Sequence, residues 1–385
     1  MAVNKRVVIV DFNHMAYSYF HSQHRLSVRV MEGGRVVEKD TTITTSAIKN
    51  IHKWSGCGVN PTAVCFDRPV PARKAFFQTS FPDMQVGTAG EYKGGRERMS
   101  DGMFQGIADS ERVLRLGGVS VFSQNNYEAD DLISACIDRA KVKYPDLPID
   151  VITNDADLLP LVDERVSVFL RSKKMTYAET KEIEKAKYIQ VTPANYQTVV
   201  EDLSAYKGFL IPYNSLLLHK LLRGDISDNF KRKDISRMFS ATKYNAMIEQ
   251  MIADGVDFAH IFRYGKPTFK ILYRDTGLEF KGTMAEAMAS PDKAKMYQKI
   301  GNPVELDMIL DLLTRYSDLT EEQLSHVEKV YWGMNLNQIY PLPDPRLARR
   351  AYYVGGKNPM DINPFNEIKL QNALTPLKIR LKGLY

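Results

Sequence analysis

Short apolar runs alternate with helix-patterned segments along the first two hundred residues. Arg6 to Val10 is a β-branched run ending in Asp11, and Ala63-Val64-Cys65-Phe66 repeats the device, ending in Asp67. Ser27–Met31 and Arg35–Lys39 flank Glu32-Gly33-Gly34, which predicts a hairpin. Helical spacing over Thr45–Trp54 closes at Gly56 and Gly58, and a second helix over Met103–Leu116 stops at Gly117-Gly118. Val119–Phe122, Ile149–Thr153 and Val166–Leu170 read as further strands. Leu132 to Ile137 reads as a buried helix opened by Glu128-Ala129-Asp130-Asp131. This alternation predicts an α/β class, with a central, mainly parallel sheet flanked by helices over residues 1–205.

Elsewhere the pattern changes. Pro69 to Asp101 is polar and rich in Gly and Arg, so it predicts neither strand nor core. Beyond residue 205 the spacing turns helical, over Leu216–Leu222, Tyr244–Ile252, Pro303–Tyr316 and Glu321–Val330. These predict a mostly helical lobe over 206–340. The Pro-rich link Pro341-Leu342-Pro343-Asp344-Pro345 then opens a basic extension, 341–385, with eight Lys/Arg against three acids.

Composition narrows the classes. A chain of 385 residues, 44% hydrophobic and 25% charged, builds a soluble core. No apolar run approaches membrane-spanning length, and the start lacks a signal-peptide layout. Cys57, Cys65 and Cys136 form neither a disulfide framework nor a zinc pattern, which points to a reducing cytoplasm. The net charge of +6 permits a nucleic-acid partner without demanding one.

The acids carry the chemistry. In parallel sheets ligands bind beyond the carboxyl ends of the strands, which puts Asp11, Asp67, Asp155 and Asp157 at one edge. The acidic helix follows a strand and so begins there too. One such Asp reads as a turn residue, and one acidic first turn as a cap. Glu128, Asp130 and Asp131 together crowd three anions, which a divalent cation relieves. Asp225 and Asp228 lie three apart in Gly224-Asp225-Ile226-Ser227-Asp228-Asn229. All nine are oxygen donors with no Cys or His cluster, a set that selects Mg²⁺ or Mn²⁺ over zinc. Nine exceed the needs of one ion, and two ions about 3.5–4 Å apart serve phosphoryl chemistry.

With Val10-Asp11, Phe66-Asp67, Tyr92-Lys93-Gly94-Gly95-Arg96, Tyr127-Glu128-Ala129-Asp130-Asp131, Thr153-Asn154-Asp155-Ala156-Asp157-Leu158-Leu159 and Gly224-Asp225-Ile226-Ser227-Asp228-Asn229 in this order, the chain resembles the structure-specific 5′ nucleases. These include flap endonucleases and 5′–3′ exonucleases. The resemblance implies a PIN-like nuclease core and a mobile arch at about 69–101. It implies two metal sites, the first drawing on Asp11, Asp67, Glu128 and Asp130. The second draws on Asp131, Asp155, Asp157, Asp225 and Asp228. Lys93 and Arg96 match the arch residues that meet the scissile phosphate, so with Asp130 and Asp155 they make the implied catalytic set. Tyr92 and Arg73 join them in binding nucleic acid.

The chain departs from most relatives after Asn229. The Gly-rich turn that holds K⁺ against duplex phosphates is replaced by Phe230-Lys231-Arg232-Lys233, with no glycine before Gly255. This puts K⁺ in question and leaves Lys231, Arg232, Lys233 and Arg237 to grip the duplex by direct charge. The T-even phage ribonuclease H is similar in this departure. The expectation is a phage replication nuclease, acting as a monomer on 5′ flaps, nicks or RNA–DNA hybrids. Single-strand-binding protein and the sliding clamp are the candidate protein partners. The competing readings are a PIN-type ribonuclease and a non-catalytic DNA-binding accessory protein; the latter predicts Asn or Ser at several of the nine acids.

Overall fold

The computed structural model of the protein describes residues 5–21, 25–69, 99–123, 127–171, 188–224, 238–261, 268–272, 279–282, 296–300, 303–334 and 362–381. The chain enters through β1 (Val7–Asp11) and turns directly into α1 (Phe12–Phe20). The hairpin β2 (Ser27–Glu32) and β3 (Arg35–Asp40) pairs from Ser27–Asp40 to Glu32–Arg35. Gly33 and Gly34 close it at φ of 57° and 79°, the left-handed pair a two-residue turn requires. Next come α2 (Thr42–Trp54), β4 (Thr62–Phe66), α3 (Asp101–Leu116), β5 (Ser120–Ser123), α4 (Ala129–Lys143) and β6 (Ile149–Thr153). A 3₁₀ turn (Ala156–Leu161), β7 (Val166–Arg171) and β8 (Tyr188–Val191) complete this half.

Six strands form one sheet, in the order β5-β4-β1-β6-β7-β8, parallel except for the β7–β8 pair. The expected mainly parallel α/β sheet is therefore present, with an antiparallel edge strand that the pattern did not announce. Every residue of β1, β4 and β6 is buried, because helices cover both faces of the sheet. Alternation sorts their side chains. Val7, Ile9, Ala63 and Cys65 join one core with α4, while Val8, Val10, Val64 and Phe66 join another with α1, α2 and α3.

The second half begins with α5 (Tyr196–Asp202), α6 (Leu216–Arg223), α7 (Ala241–Ala253) and α8 (Phe258–Ile261). Three strands follow, β9 (Thr268–Leu272), β10 (Glu279–Gly282) and β11 (Met296–Ile300), and then α9 (Pro303–Tyr316) and α10 (Glu321–Met334). The helices share a core of their own, holding Leu221, Tyr244, Ile248, Leu313, Val330 and Tyr331. The strands form an antiparallel sheet, β10-β9-β11, in a stretch where only helical spacing was expected. Thr268-Phe269-Lys270-Ile271-Leu272 is too short for periodicity to separate strand from helix.

Part of the basic extension returns to the first half as α11 (Glu367–Leu374) and a 3₁₀ turn (Thr375–Leu377). Asn363 bridges to Thr62, and the Phe365 N–H donates to the Gly58 carbonyl at 3.1 Å. Phe365, Leu370, Leu374, Leu377, Ile379 and Leu381 are buried in the core of α1, α2 and α3. Among the described residues no helix is long and apolar enough to cross a membrane. The expected arch at 69–101 and the basic run 231–237 lie largely or wholly outside the described residues.

Candidate active site

The site is assembled where β1, β4 and β6 end and α4 begins. Asp11 is the last residue of β1 and fully buried. Thr153, the last of β6, donates its hydroxyl to Asp11 Oδ2 at 2.7 Å, while Asp11 Oδ1 is buried with no hydrogen-bond partner. Burial lifts the Asp11 pKa to about 6; Asp67 and Asp155 add to the rise, and His14 and Thr153 oppose it. Asp67 follows β4. Its backbone N–H donates to Asn13 Oδ1 at 3.2 Å, and its Oδ1 accepts from the Ala129 N–H at 2.7 Å. It therefore occupies a free N–H of the first turn of α4. Phe12 and Phe66 stack with centroids 4.3 Å apart beside these two aspartates, pinning the strand ends together.

The three acids that open α4 part company. Asp131 Oδ2 turns back to the Glu128 N–H at 3.0 Å, so this carboxylate caps its own helix. Asp130, on another side of the helix, is desolvated and has Asp155, Asp11, Glu128 and Asp67 as neighbours. Burial first, and those four charges in that order, push its pKa well above the usual carboxylate range. Asp155 Oδ1 accepts from the Asp157 N–H at 2.9 Å, and Asp155 Oδ2 lies 3.1 Å from His14 Nε2. Burial opposes ionisation of Asp155, but His14, the Asp157 N–H and Lys220 hold it well below the usual range. Burial likewise opposes the His14 cation, yet Asp11, Asp155 and Asp130 outweigh it and raise the His14 pKa to about 10. Asp157 Oδ1 lies 2.6 Å from Lys220 Nζ.

Asp11, Asp67, Glu128, Asp130, Asp155 and Asp157 thus share one edge of the sheet. The remaining candidates, Asp225, Asp228, Arg73, Tyr92, Lys93, Arg96, Lys231, Arg232, Lys233 and Arg237, lie outside the described residues. Among the described residues no three His, Cys, Asp or Glu side chains meet closely enough, as they stand, to enclose an ion. The reason is visible in the contacts. His14, Lys220 and the Ala129 N–H each hold a carboxylate of the cluster. The donor set nonetheless fits a hard divalent cation. It is all oxygen, and it keeps one buried carboxylate oxygen, Asp11 Oδ1, without a proton donor.

His14 and Lys220 escaped the sequence reading. His14 lies three residues after Asp11, and Lys220 sits inside the leucine run of α6. A lysine on the buried side of an apolar helix is the one signal that pointed to a partner.

Residues 6–188 match the family described as 5′–3′ exonuclease, N-terminal resolvase-like domain. A 5′–3′ exonuclease of Mycoplasma pneumoniae is 30% identical over 153 residues, 40% of this chain and 46% of that protein. DNA polymerase I of Lactococcus lactis subsp. lactis is 27% identical over 140 residues, 36% of this chain and 14% of the polymerase. The matched stretches therefore span less than half of either relative. A bacteriophage T5 flap endonuclease, solved in complex with DNA and metal ions, superimposes with a TM-score of 0.44 at 14% identity, covering 66% of this chain and 79% of that one. Over residues 6–188 the chain is similar to the N-terminal domain of the 5′–3′ exonucleases, the family its motifs resemble.

Proposed function

We propose that this protein is a divalent-cation-dependent 5′ nuclease that hydrolyses phosphodiester bonds near the 5′ ends of branched DNA or RNA–DNA hybrids. The observation that carries the reading is the convergence of carboxylates from separate elements on one sheet edge, next to a buried carboxylate oxygen without a donor. Asp11, Asp67, Glu128 and Asp130 would hold one ion. Asp155 and Asp157, with Asp225 and Asp228, would hold a second; Asp131 is occupied at the helix cap in this structure. Mg²⁺, or Mn²⁺ in its place, would supply a water of lowered pKa and charge to steady the phosphoryl oxygens.

The chain's own residues do the rest. Burial of Asp11 and the Phe12–Phe66 stack keep the strand ends rigid, so the donors are held in place before a cation arrives. Lys93 and Arg96 would meet the scissile phosphate, Tyr92 and Arg73 the strand beside it. Lys231, Arg232, Lys233 and Arg237 would meet the duplex backbone, taking the place of a K⁺ site. Primer removal during replication in a phage, in the host cytoplasm, with single-strand-binding protein or the clamp as partner, belongs to the same proposal.

The test uses 5′-labelled substrates: a DNA flap, a nicked duplex and an RNA primer on DNA, each with Mg²⁺ or EDTA. Release of short 5′ products in Mg²⁺ is expected, reduced at least about 100-fold in Asp130→Asn and Asp155→Asn with flap binding retained. Binding to the flap without cleavage under any divalent metal would move the reading to a DNA-binding accessory protein.

A further inference from the structure

Among the described residues, Lys220 is the lysine whose ammonium reaches the carboxylate cluster. It belongs to α6, whose Leu218, Leu221 and Leu222 build the core of the helical lobe. Its own side chain is only 9% exposed and leaves that lobe to reach Asp157, 2.6 Å away in the turn that follows β6. Burying a lysine costs more than a close ion pair ordinarily returns, and an apolar residue would pack among these leucines at less expense. Stability alone is a weak reason for a lysine here.

Its charge has a local use. Asp11, Asp67, Glu128, Asp130, Asp155 and Asp157 crowd one edge, and Lys220 also helps keep Asp155 ionised. An ammonium and a divalent cation want the same carboxylate lone pairs, so both cannot hold Asp157 Oδ1 at full strength. The site is set up for a second cation, because Asp11 Oδ1 is buried there with no donor of its own. We propose that Lys220 is a built-in counter-cation of the carboxylate site, neutralising Asp157 until a divalent ion displaces it. The proposal rests on the reading that this edge binds divalent metal. It adds that metal uptake loosens a tie between the nuclease core and the helical lobe.

The experiment titrates Mn²⁺ into the full chain by calorimetry, in wild type, Lys220→Met, Lys220→Gln, Asp157→Asn and the Asp157→Asn/Lys220→Met double variant. Melting in EDTA is recorded beside each titration. Removing the ammonium is expected to tighten Mn²⁺ binding by about tenfold, the lower end of what a partner contacting a ligand contributes to metal affinity. The gain should shrink in the Asp157→Asn background, where the carboxylate that the ammonium contacts no longer competes for the ion. In EDTA the Lys220 variants should melt lower than wild type, with Mn²⁺ closing the gap. Unchanged or weaker Mn²⁺ binding in both Lys220 variants, or a gain undiminished by Asp157→Asn, would overturn the proposal while leaving the metal site intact. No Mn²⁺ binding by the wild type would overturn the site reading and this one together.

Discussion

Asp11 concentrates the conflict between stability and chemistry. It sits fully buried with one oxygen unpartnered, and that burial, aided by the charges of Asp67 and Asp155, raises its pKa to about 6. At neutral pH it is ionised at a cost to the fold. Asp11→Asn keeps the shape and the acceptor for Thr153 but removes the charge. The variant should melt at the wild-type temperature or about 1–3 °C above it in EDTA, while cleavage falls at least about 100-fold. A calorimetric scan and a flap assay on one preparation check both halves, and a clear loss of stability would contradict the burial argument. Much of this site was legible in the sequence. Asp11 and Asp67 stand at strand ends, and strand ends in a parallel sheet share an edge. What was not legible is which carboxylate meets which donor. The resemblance makes Asp131 a metal ligand, and in this structure its Oδ2 accepts from the Glu128 N–H. His14 and Lys220 become neighbours of the acids only through the fold.

The elements themselves show the same division. β1, β4 and β6 were legible because continuous apolar runs are the signature of strands covered on both faces. The start of α2 was not: Thr42-Ile43-Thr44-Thr45 is β-branched and a weak helix former. Asp40 overrides that preference by accepting from the Thr42 N–H at 2.7 Å. An equally local device fixes α3 against the sheet. Glu111 accepts from Arg115, four residues on at 2.9 Å, from Ser123 at the end of β5 at 2.7 Å, and from Arg68. Arg68 follows Asp67 directly, so Glu111 braces the chain that carries a site carboxylate. Burial opposes the Glu111 charge, but Ser123, Arg115 and Arg68 outweigh it and lower its pKa from the ordinary 4.5. A depressed carboxylate stabilises the fold above its unfolded value and loses that contribution as pH falls through the folded one. Glu111→Gln should therefore cost about 1–2 kcal/mol at pH 7. The gap to wild type should narrow as the pH drops below about 4.5, read from urea melts at stepped pH. A gap independent of pH would mean that packing, not charge, is what Glu111 supplies.

At the scale of the whole molecule, the α/β core is closed by residues far from it in sequence. The family match ends at residue 188, yet Phe365, Leu370, Leu374, Leu377, Ile379 and Leu381 complete the core built by α1, α2 and α3. The approach is close enough to dictate glycine on the other side. A Cβ on Gly58 would lie 2.4 Å from the Phe365 carbonyl oxygen, and one on Gly117 2.5 Å from Leu370 Cδ1. Charge had marked this stretch as a basic extension; its Leu370, Leu374 and Leu377, spaced for one helical face, outweigh that signal because burying them removes apolar area from water. Leu374→Ala should destabilise the core by about 2–5 kcal/mol. Ile368, 72% exposed on the same helix, should tolerate Ala within about 0.5 kcal/mol. Urea denaturation of the two variants separates a docked helix from a loose tail. If Leu374→Ala unfolds with the wild-type midpoint, the return of the chain contributes nothing to the core. If it falls while Ile368→Ala does not, a chain cut at residue 340 lacks part of its own hydrophobic centre, and the domain matched over 6–188 needs residues 362–381 to stand at full stability.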